Sequence, residues 1–305
     1  MITVLAGGTG SAKLVRGLAA NVPPEDLTVI ANIGDNILLQ GLYICPDVDT
    51  TLYALAGVLD KSRGWGFKDD TFSFLEQASK YGLEDWFKLG DRDLAIHIAR
   101  TEMMKAGLTL SEVTQKIAEH LKVRQKVLPA SDEHIETRIQ TPKGDMHLQE
   151  FWVKLKGAPD VLGVRYRGPE NPQPAPKVVE AIHDADKVVI CPANPVTSIG
   201  PILHIPGIRE ILTQVRSRVV AVSPIVNNRP VSGPAGKFLR GVGAEVSPVG
   251  VAQLYSGFTG RLLVDETDRT AIDKIEDIGM EGIATEILMR DEVAERRVAQ
   301  FIIDL

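Results

Sequence analysis

The sequence has few cysteines and no long apolar run, and each shortage excludes a class of protein. Its 305 residues include only two cysteines, Cys45 and Cys191, and no Cys-x-x-Cys pair. Neither a disulfide framework nor a zinc site is therefore expected. No run of about eighteen apolar residues is present, so we expect no membrane-spanning helix and no membrane partner. Met1 leads directly into a strand pattern without a secretory signal, which predicts a cytoplasmic location.

Positive charge is also in short supply. The chain has 34 Lys and Arg residues against 40 Asp and Glu residues, which gives a net charge of −6. No Lys/Arg-rich run offsets this balance, so a nucleic-acid partner is not expected. A substrate that carries phosphate must then be bound by local features, namely glycine turns, single cations or a metal ion.

The first eighteen residues contain such a feature. Ile2–Ala6 is an apolar, β-branched run that predicts a buried strand. Glycines then interrupt the pattern within residues 7–10 (GGTG), and Ala12–Leu18 resumes it at helical spacing. A strand, a glycine turn and a helix in this order expose backbone N–H groups at a positive helix end, which is a device for binding phosphate. A tight turn that binds nothing is the alternative, because Lys13 replaces the third glycine of the dinucleotide fingerprint and no Walker sequence follows.

Strand and helix patterns alternate along most of the chain. Further short apolar runs predict buried strands at Leu27–Asn32, Val188–Cys191, Val219–Val222 and Leu262–Asp265. This alternation predicts an α/β fold, specifically a three-layer, Rossmann-like, mostly parallel and doubly wound sheet. We expect residues 1–50 and 177–305 to form a nucleotide-binding core. Residues 51–176 are expected to form an insertion, helical with a β-hairpin, that closes over the acceptor side of the site.

Helical patterns come first in the predicted insertion. They cover Leu52–Leu59, Thr71–Tyr81, Leu94–Lys105 and a helix that begins at the capping box of Thr109 and Glu112. Leu94, Ile98 and Met104 are expected on the buried face of the third of these helices. Alternating residues then predict a hairpin of Ile135–Thr141 and Met146–Val153, with Val161–Arg167 beside it.

Unusual polar residues follow the predicted strands. They lie in the loops Gly7–Lys13, Asn32–Asn36, Asn194–Gly200 and Ser223–Asn228. Loops at the carboxyl ends of parallel strands meet at one crevice. The stretch that leads into the insertion adds Asp47 and Asp49, and the insertion itself adds Lys88, Asp91 and Asp93. An anion cradle beside carboxylates suits a nucleotide diphosphate with Mg²⁺, whereas helix capping by Asp49 or Thr50 is the simpler alternative. The residues alone indicate a nucleotide-diphosphate transferase.

Longer strings carry a family resemblance from Ile2 to about Asp268. They are AGGTGSAKL, NIGDN, GLYICPDVDTTLY, WFKLGDRDLAIHIARTEM, ANPVTSIGPIL and AVSPIVNN. Together they resemble the CofD family of 2-phospho-L-lactate transferases. The resemblance implies a Mg²⁺-dependent, homodimeric enzyme of coenzyme F-420 biosynthesis. Such an enzyme moves a 2-phospholactyl group from lactyl-diphospho-guanosine to the terminal ribityl hydroxyl of Fo, 7,8-didemethyl-8-hydroxy-5-deazariboflavin, and releases GMP.

The resemblance also implies roles for single residues. Those expected to bind the nucleotide and its phosphates are Gly8, Thr9, Gly10, Lys13, Asn32, Asn194, Ser198 and Gly200. Asp35 and Asp49 are expected to bind Mg²⁺ and to be catalytic, while Asp49, Lys88 and Asp91 are expected to bind Fo. Two positions depart from the family pattern: Asn36 replaces a second aspartate after Asp35, and Ala193 replaces a serine.

Two other functions and one choice of substrate stay open at this point. A non-catalytic nucleotide-sugar-binding regulatory protein of the same fold would share the glycine-rich sheet but would not need Asp49, Lys88 and Asp91. A nicotinamide-dependent oxidoreductase is disfavoured because Asn32, rather than an acidic residue, ends the second strand. The sequence does not distinguish lactate from enolpyruvate or glycerate as the transferred acid.

Overall fold

A parallel sheet forms the centre of the computed structural model, which describes residues 1–305. In chain order the strands are β1 Ile2–Ala6, β2 Leu27–Ala31, β3 Ile37–Leu39, β4 Leu42–Ile44, β5 Lys126–Pro129, β6 Glu136–Thr141, β7 Gly144–His147, β8 Gly163–Arg167, β9 Lys187–Ile190, β10 Val219–Val222, β11 Ile225–Val226, β12 Arg229–Pro230, β13 Arg261–Val264 and β14 Glu281–Ala284. The helices are α1 Gly8–Ala19, α2 Pro46–Leu55, α3 Ser73–Lys80, α4 Asp91–Lys105, α5 Leu110–His120, α6 Val178–His183, α7 Gly200–His204, α8 Ile208–Gln214, α9 Ala235–Gly241, α10 Pro248–Tyr255, α11 Ile272–Asp277 and α12 Glu292–Asp304.

Seven strands form the main sheet in the order β14-β13-β10-β9-β1-β2-β5, and every pairing is parallel. The chain first moves outward from β1 through β2 to β5, and then returns to the other side of β1 to add β9. The strand order therefore reverses between β1 and β9. The loops after these two strands diverge at such a point and leave a crevice, which is where open α/β sheets bind ligands.

Helices cover both faces of the sheet, as the sequence predicts. All five residues of β1 are buried, because its alternate side chains enter two separate hydrophobic clusters. One cluster includes α1 and α12, and the other includes α5, α6, α8 and α10. The close contact between α1 and α12 depends on Gly17, where a Cβ atom would collide with the carbonyl oxygen of Glu295. The three-layer, doubly wound α/β fold is confirmed.

The segment between β2 and α6 departs from the predicted elements in three places. Helix α2 begins at Pro46 rather than at Leu52, since proline at the first helical position is already preorganised. The expected strand Met146–Val153 is only the short β7, and a π-helical turn follows, in which Phe151 is buried against Phe238. Strand β5 lies within the range 51–176 but pairs with β2 in the main sheet.

The predicted capping box of α5 is present, with Thr109 accepting from the backbone N–H of Glu112 and the Glu112 side chain accepting in return. The hairpin of β6 and β7 is also present, and β8 pairs with β6 on the other side. None of the helices combines the length and the apolar character that a bilayer crossing requires.

Candidate active site

A cavity of about 710 Å³ opens where the loops after β1 and β9 diverge. The sheet contributes the glycine turn after β1 and the loop after β9, while the segment between β2 and α6 contributes the opposite wall. The predicted site residues that line it are Gly8, Thr9, Gly10, Lys13, Asp35, Asp49, Lys88, Asn194 and Ser198. The convergence expected from loop positions is therefore observed for most of the set.

The amino end of α1 forms the anion-binding part of the cavity. The helix begins with no side-chain cap and no acidic residue in its first turn, so its backbone N–H groups and its dipole favour a negative ligand. Gly8 has φ 72°, a left-handed conformation that suits glycine. A Cβ atom at Gly10 would lie 2.5 Å from the carbonyl oxygen of Pro192. Glycine at this position is therefore required for the turn to pack against the loop after β9.

Two buried carboxylates, Asp35 and Asp47, lie beside this helix end. The Asn32 side-chain amide donates to both, at 3.4 Å to Asp35 and 2.9 Å to Asp47. Asp47 also accepts the Gly8 backbone N–H at 2.6 Å. Burial raises the pKa of Asp47 to about 6, and burial together with the charges of Asp47 and Asp49 raises the pKa of Asp35 well above its ordinary value. The pair is thus an acidic site without a cationic partner.

These two carboxylates fit a Mg²⁺ ion. No group of three or more His, Cys, Asp or Glu side chains is arranged as a metal site. Mg²⁺ in nucleotide sites usually takes only one or two carboxylates, with phosphate oxygens and waters as the remaining ligands. Asp35 and Asp47 have that chemistry, and a cation between them would relieve the repulsion that raises the pKa of Asp35. Gln149 supports Asp35 by donating to its carboxylate at 3.2 Å and to its backbone carbonyl oxygen at 3.3 Å.

Asp49 is paired with an arginine, although the sequence predicts that it binds a metal ion. Both of its carboxylate oxygens accept from the guanidinium of Arg100, one of them at 3.0 Å. A bidentate arginine satisfies the charge of a carboxylate from one side and repels a second cation there. By this geometry Asp35 and Asp47 fit a metal ion better than the predicted pair of Asp35 and Asp49 does. Asp49 still lines the cavity, in the first turn of α2.

The predicted acceptor residues do not lie together. Lys88 lines the cavity, is about half exposed and has only a long ion pair of 3.5 Å with Asp85. Asp91 does not line the cavity. Its carboxylate accepts from the Thr71 hydroxyl at 2.6 Å and from the backbone N–H groups of Ser73 and Phe74 at 3.1 and 2.9 Å. Asp91 therefore holds the start of α3, and its predicted contact with Fo is not supported by the geometry.

Four of the predicted nucleotide residues have structural roles within the protein. Lys13 donates to the Met289 carbonyl oxygen at 2.9 Å, and Asn194 accepts two backbone N–H groups of its own loop. Gly200 does not line the cavity; a side chain there would collide with the Tyr166 hydroxyl. Asn32 does not line it either, and acts instead through Asp35 and Asp47.

Several cavity residues carry no sequence signal for a site. Gln149 and Trp152 line the cavity but fall in a stretch whose alternation predicts a plain strand. His97 also lines it, yet a single histidine within a helix gives no indication of its neighbours. The sequence does indicate Asp47, which precedes Asp49 by two positions at the start of the same helix, but the expected metal pair did not include it.

Comparisons with known proteins match the whole chain. The family model described as 2-phospho-L-lactate transferase CofD matches residues 2–299. A 2-phospho-L-lactate transferase of Methanosarcina acetivorans is 43% identical over 99% of this chain and 98% of its own length. A phosphoenolpyruvate transferase of Streptomyces griseus is 42% identical over 100% and 98%.

A solved structure supports the fold independently. The UPF0052 family protein BH3568 from Bacillus halodurans superposes with a TM-score of 0.69 at 21% identity, covering 99% of this chain and 98% of its own. At that identity the likeness concerns the fold alone. The curated relatives named above are transferases, which neither the regulatory protein nor the oxidoreductase alternative predicts. The chain belongs to the CofD family and is an enzyme of the transferase class.

Proposed function

We propose that the enzyme transfers a 2-phospholactyl group from lactyl-diphospho-guanosine to the terminal ribityl hydroxyl of Fo, with release of GMP, in coenzyme F-420 biosynthesis. The observation that carries the proposal is one cavity in which the amino end of α1, the Asp35–Asp47 pair and Asp49 meet. The names of the curated relatives supply the transferred group. A cytoplasmic location and a homodimer are part of the same proposal.

The donor's diphosphate is assigned to the backbone N–H groups of residues 8–10. Those groups are oriented towards the cavity by the helix, and they carry the positive end of its dipole. Asp35 and Asp47 would hold Mg²⁺ next to these phosphates. The ion's contribution is to neutralise charge on the phosphate oxygens. Asp47 accepts the Gly8 N–H, so the donor must compete for that group.

The acceptor is assigned to the Asp49 and Lys88 side of the cavity. In the reaction, the ribityl hydroxyl oxygen bonds to the phosphorus that carries lactate, and the bond from that phosphorus to the GMP oxygen breaks. Asp49 accepts the hydroxyl proton. The demand on this base is small, because the transition state of phosphoryl transfer is loose and the hydroxyl becomes acidic only as the new bond forms.

A second transferred group, phosphoenolpyruvyl, is favoured by one observation. Relatives named phosphoenolpyruvate transferase match this chain at 42% identity over nearly its full length, as closely as the lactate enzymes do. The two donors differ by two hydrogen atoms, one on the carbon next to the carboxylate and one on the adjacent methyl carbon. Competition between the two donors in one reaction, followed by mass spectrometry of the products, separates these candidates.

Fluorescence titration tests the two binding sites before any turnover is measured. Fo is titrated with the purified protein alone, with GDP, and with GDP and Mg²⁺. The proposal predicts saturable Fo binding that tightens when nucleotide and metal are both present. Binding of GDP with no response from Fo would contradict the assignment of the acceptor site.

A further inference from the structure

One face of α4 is buried although it is polar. Asp93, His97, Arg100 and Thr101 are all at most 6% exposed, and their spacing places them on one side of the helix. Ile98, which the sequence places on the buried face, is 46% exposed. Burying this many polar groups is unfavourable unless each has a partner. The arrangement of those partners therefore needs an explanation beyond packing.

The partners form one connected chain of contacts. Arg100 is fully buried and donates to both oxygens of Asp49 and, at 3.1 Å, to Nδ1 of His97. Because a guanidinium only donates, Nδ1 of His97 must accept, and the imidazole proton lies on Nε2. That nitrogen lies 3.3 Å from Asp93, which also accepts the Tyr53 hydroxyl at 2.6 Å.

The charged side chains in this series of contacts are stabilised by their neighbours within the protein. Burial alone would lower the pKa of Arg100, but Asp49 beside it raises it overall. Burial alone would raise the pKa of Asp93, but the neighbouring His97, the hydrogen bond from the Tyr53 hydroxyl and the charge of Arg100 lower it overall. Asp49, Tyr53, Asp93 and His97 line the cavity, whereas Arg100 does not. Arg100 thus lies behind the wall, out of reach of a substrate.

We propose that Arg100 is a positioning residue, which acts on the reaction only by fixing the plane and orientation of the Asp49 carboxylate at the cavity wall. Two parallel bonds from a rigid guanidinium define that orientation, and a single ammonium does not. The remaining lone pairs of Asp49 then point to the cavity. His97 and Asp93 hold the guanidinium in turn, through the acceptor at Nδ1. The inference rests on the proposed role of Asp49 towards the acceptor.

A simple stabilising ion pair is the competing explanation. Buried ion pairs are weak contributors to stability, and their replacement by apolar residues is often neutral. Arg16 and Glu295 provide a matched pair for comparison. They form a bidentate ion pair that is mostly buried, at 3.0 Å for one of its bonds, and neither residue lines the cavity.

The experiment compares Arg100→Lys with the control Arg16→Lys. Both variants keep a positive charge and lose the bidentate geometry. A positioning role predicts that Arg100→Lys lowers kcat by about 10- to 100-fold, the usual loss when a residue that orients a functional ligand is removed. The dissociation constant for GDP and the melting temperature should stay close to those of Arg16→Lys. Arg16→Lys should retain the kcat of the parent enzyme.

Two results would overturn the proposal. One is an Arg100→Lys enzyme with the parent kcat. The other is a variant that loses GDP binding, Fo binding and melting temperature together, which would indicate a structural role. His97→Phe removes the acceptor at Nδ1 and leaves the Arg100–Asp49 ion pair in place. It provides a second variant if the lysine substitution is poorly tolerated, and a positioning role predicts that it also lowers kcat. Failure of the parent enzyme itself to bind Fo would instead reject the proposed function, so the two failures are distinguishable.

Discussion

Replacement of Asp47 by asparagine should make the ligand-free protein more stable and less able to bind its ligands. Burial raises the pKa of Asp47 from 3.8 to about 6, a difference equivalent to about 3 kcal/mol against the ionised acid in the fold. Because the pKa of Asp47 is higher in the folded state, the contribution of Asp47 to the free energy of unfolding is greatest below about pH 3.8. That contribution is lost as the pH rises through about 6. Asparagine is neutral throughout, but it cannot accept from both Gly8 and Asn32, which costs about 1 kcal/mol. The net expectation above pH 7 is a gain of about 2 kcal/mol.

Chemical denaturation at pH 5 and pH 8, without Mg²⁺ or nucleotide, measures this effect. The Asp47→Asn variant should exceed the parent at pH 8, and the gap should narrow at pH 5. Isothermal titration should show that the same variant loses Mg²⁺-dependent binding of GDP. Asp91→Asn is the control, because the pKa of Asp91 is lowered by hydrogen bonds from Thr71 and Phe74 and its replacement should destabilise. Lower stability of Asp47→Asn at pH 8 would refute the reasoning.

Three further predictions concern other parts of the cavity. Gly10→Ala places a Cβ atom 2.5 Å from the Pro192 carbonyl oxygen. The variant should unfold more easily by about 1–3 kcal/mol and should bind GDP more weakly. An unchanged GDP affinity would argue against phosphate binding at the start of α1. Lys88→Ala should raise the KM for Fo with little change in kcat, because a half-exposed lysine at the cavity rim contributes binding that is equal in ground and transition states; a loss confined to kcat would contradict this. Gln149→Leu removes the side chain that donates to the Asp35 carboxylate. Titration calorimetry in the presence of GDP should show that Mg²⁺ binds about tenfold more weakly or worse. An unchanged Mg²⁺ affinity would argue that Asp35 does not bind the metal.

The fold could be predicted from sequence because its strands are short, apolar and buried on both faces. Runs such as Ile2–Ala6 are buried throughout and leave no competing interpretation. Glycine positions predicted the turn after β1, and the structure adds a steric reason for the glycine at Gly10, where a Cβ atom would meet the Pro192 carbonyl oxygen. Strand β14 at the sheet edge was not predicted, because none of its four residues is fully buried and its sequence EGIA lacks an apolar pattern.

The site was less predictable, since its geometry depends on contacts between distant residues. Asp49 and Arg100 are separated by 51 positions, and no local pattern indicates that one neutralises the other. Asp91 stands in an unusual polar string, yet its carboxylate serves the start of α3. The buried face of α4 defeats a hydrophobic-stripe argument because the apolar residue Ile98 faces outward and Arg100 faces inward.

The product of a single reaction tests the proposed transfer most directly. The purified enzyme is incubated with Fo, lactyl-diphospho-guanosine and Mg²⁺, and the mixture is resolved by liquid chromatography with mass spectrometry. The proposal predicts one phospholactyl group added to Fo and an equal amount of GMP, with neither formed when EDTA is present. Unmodified Fo with intact donor, or GMP release without modified Fo, would contradict it.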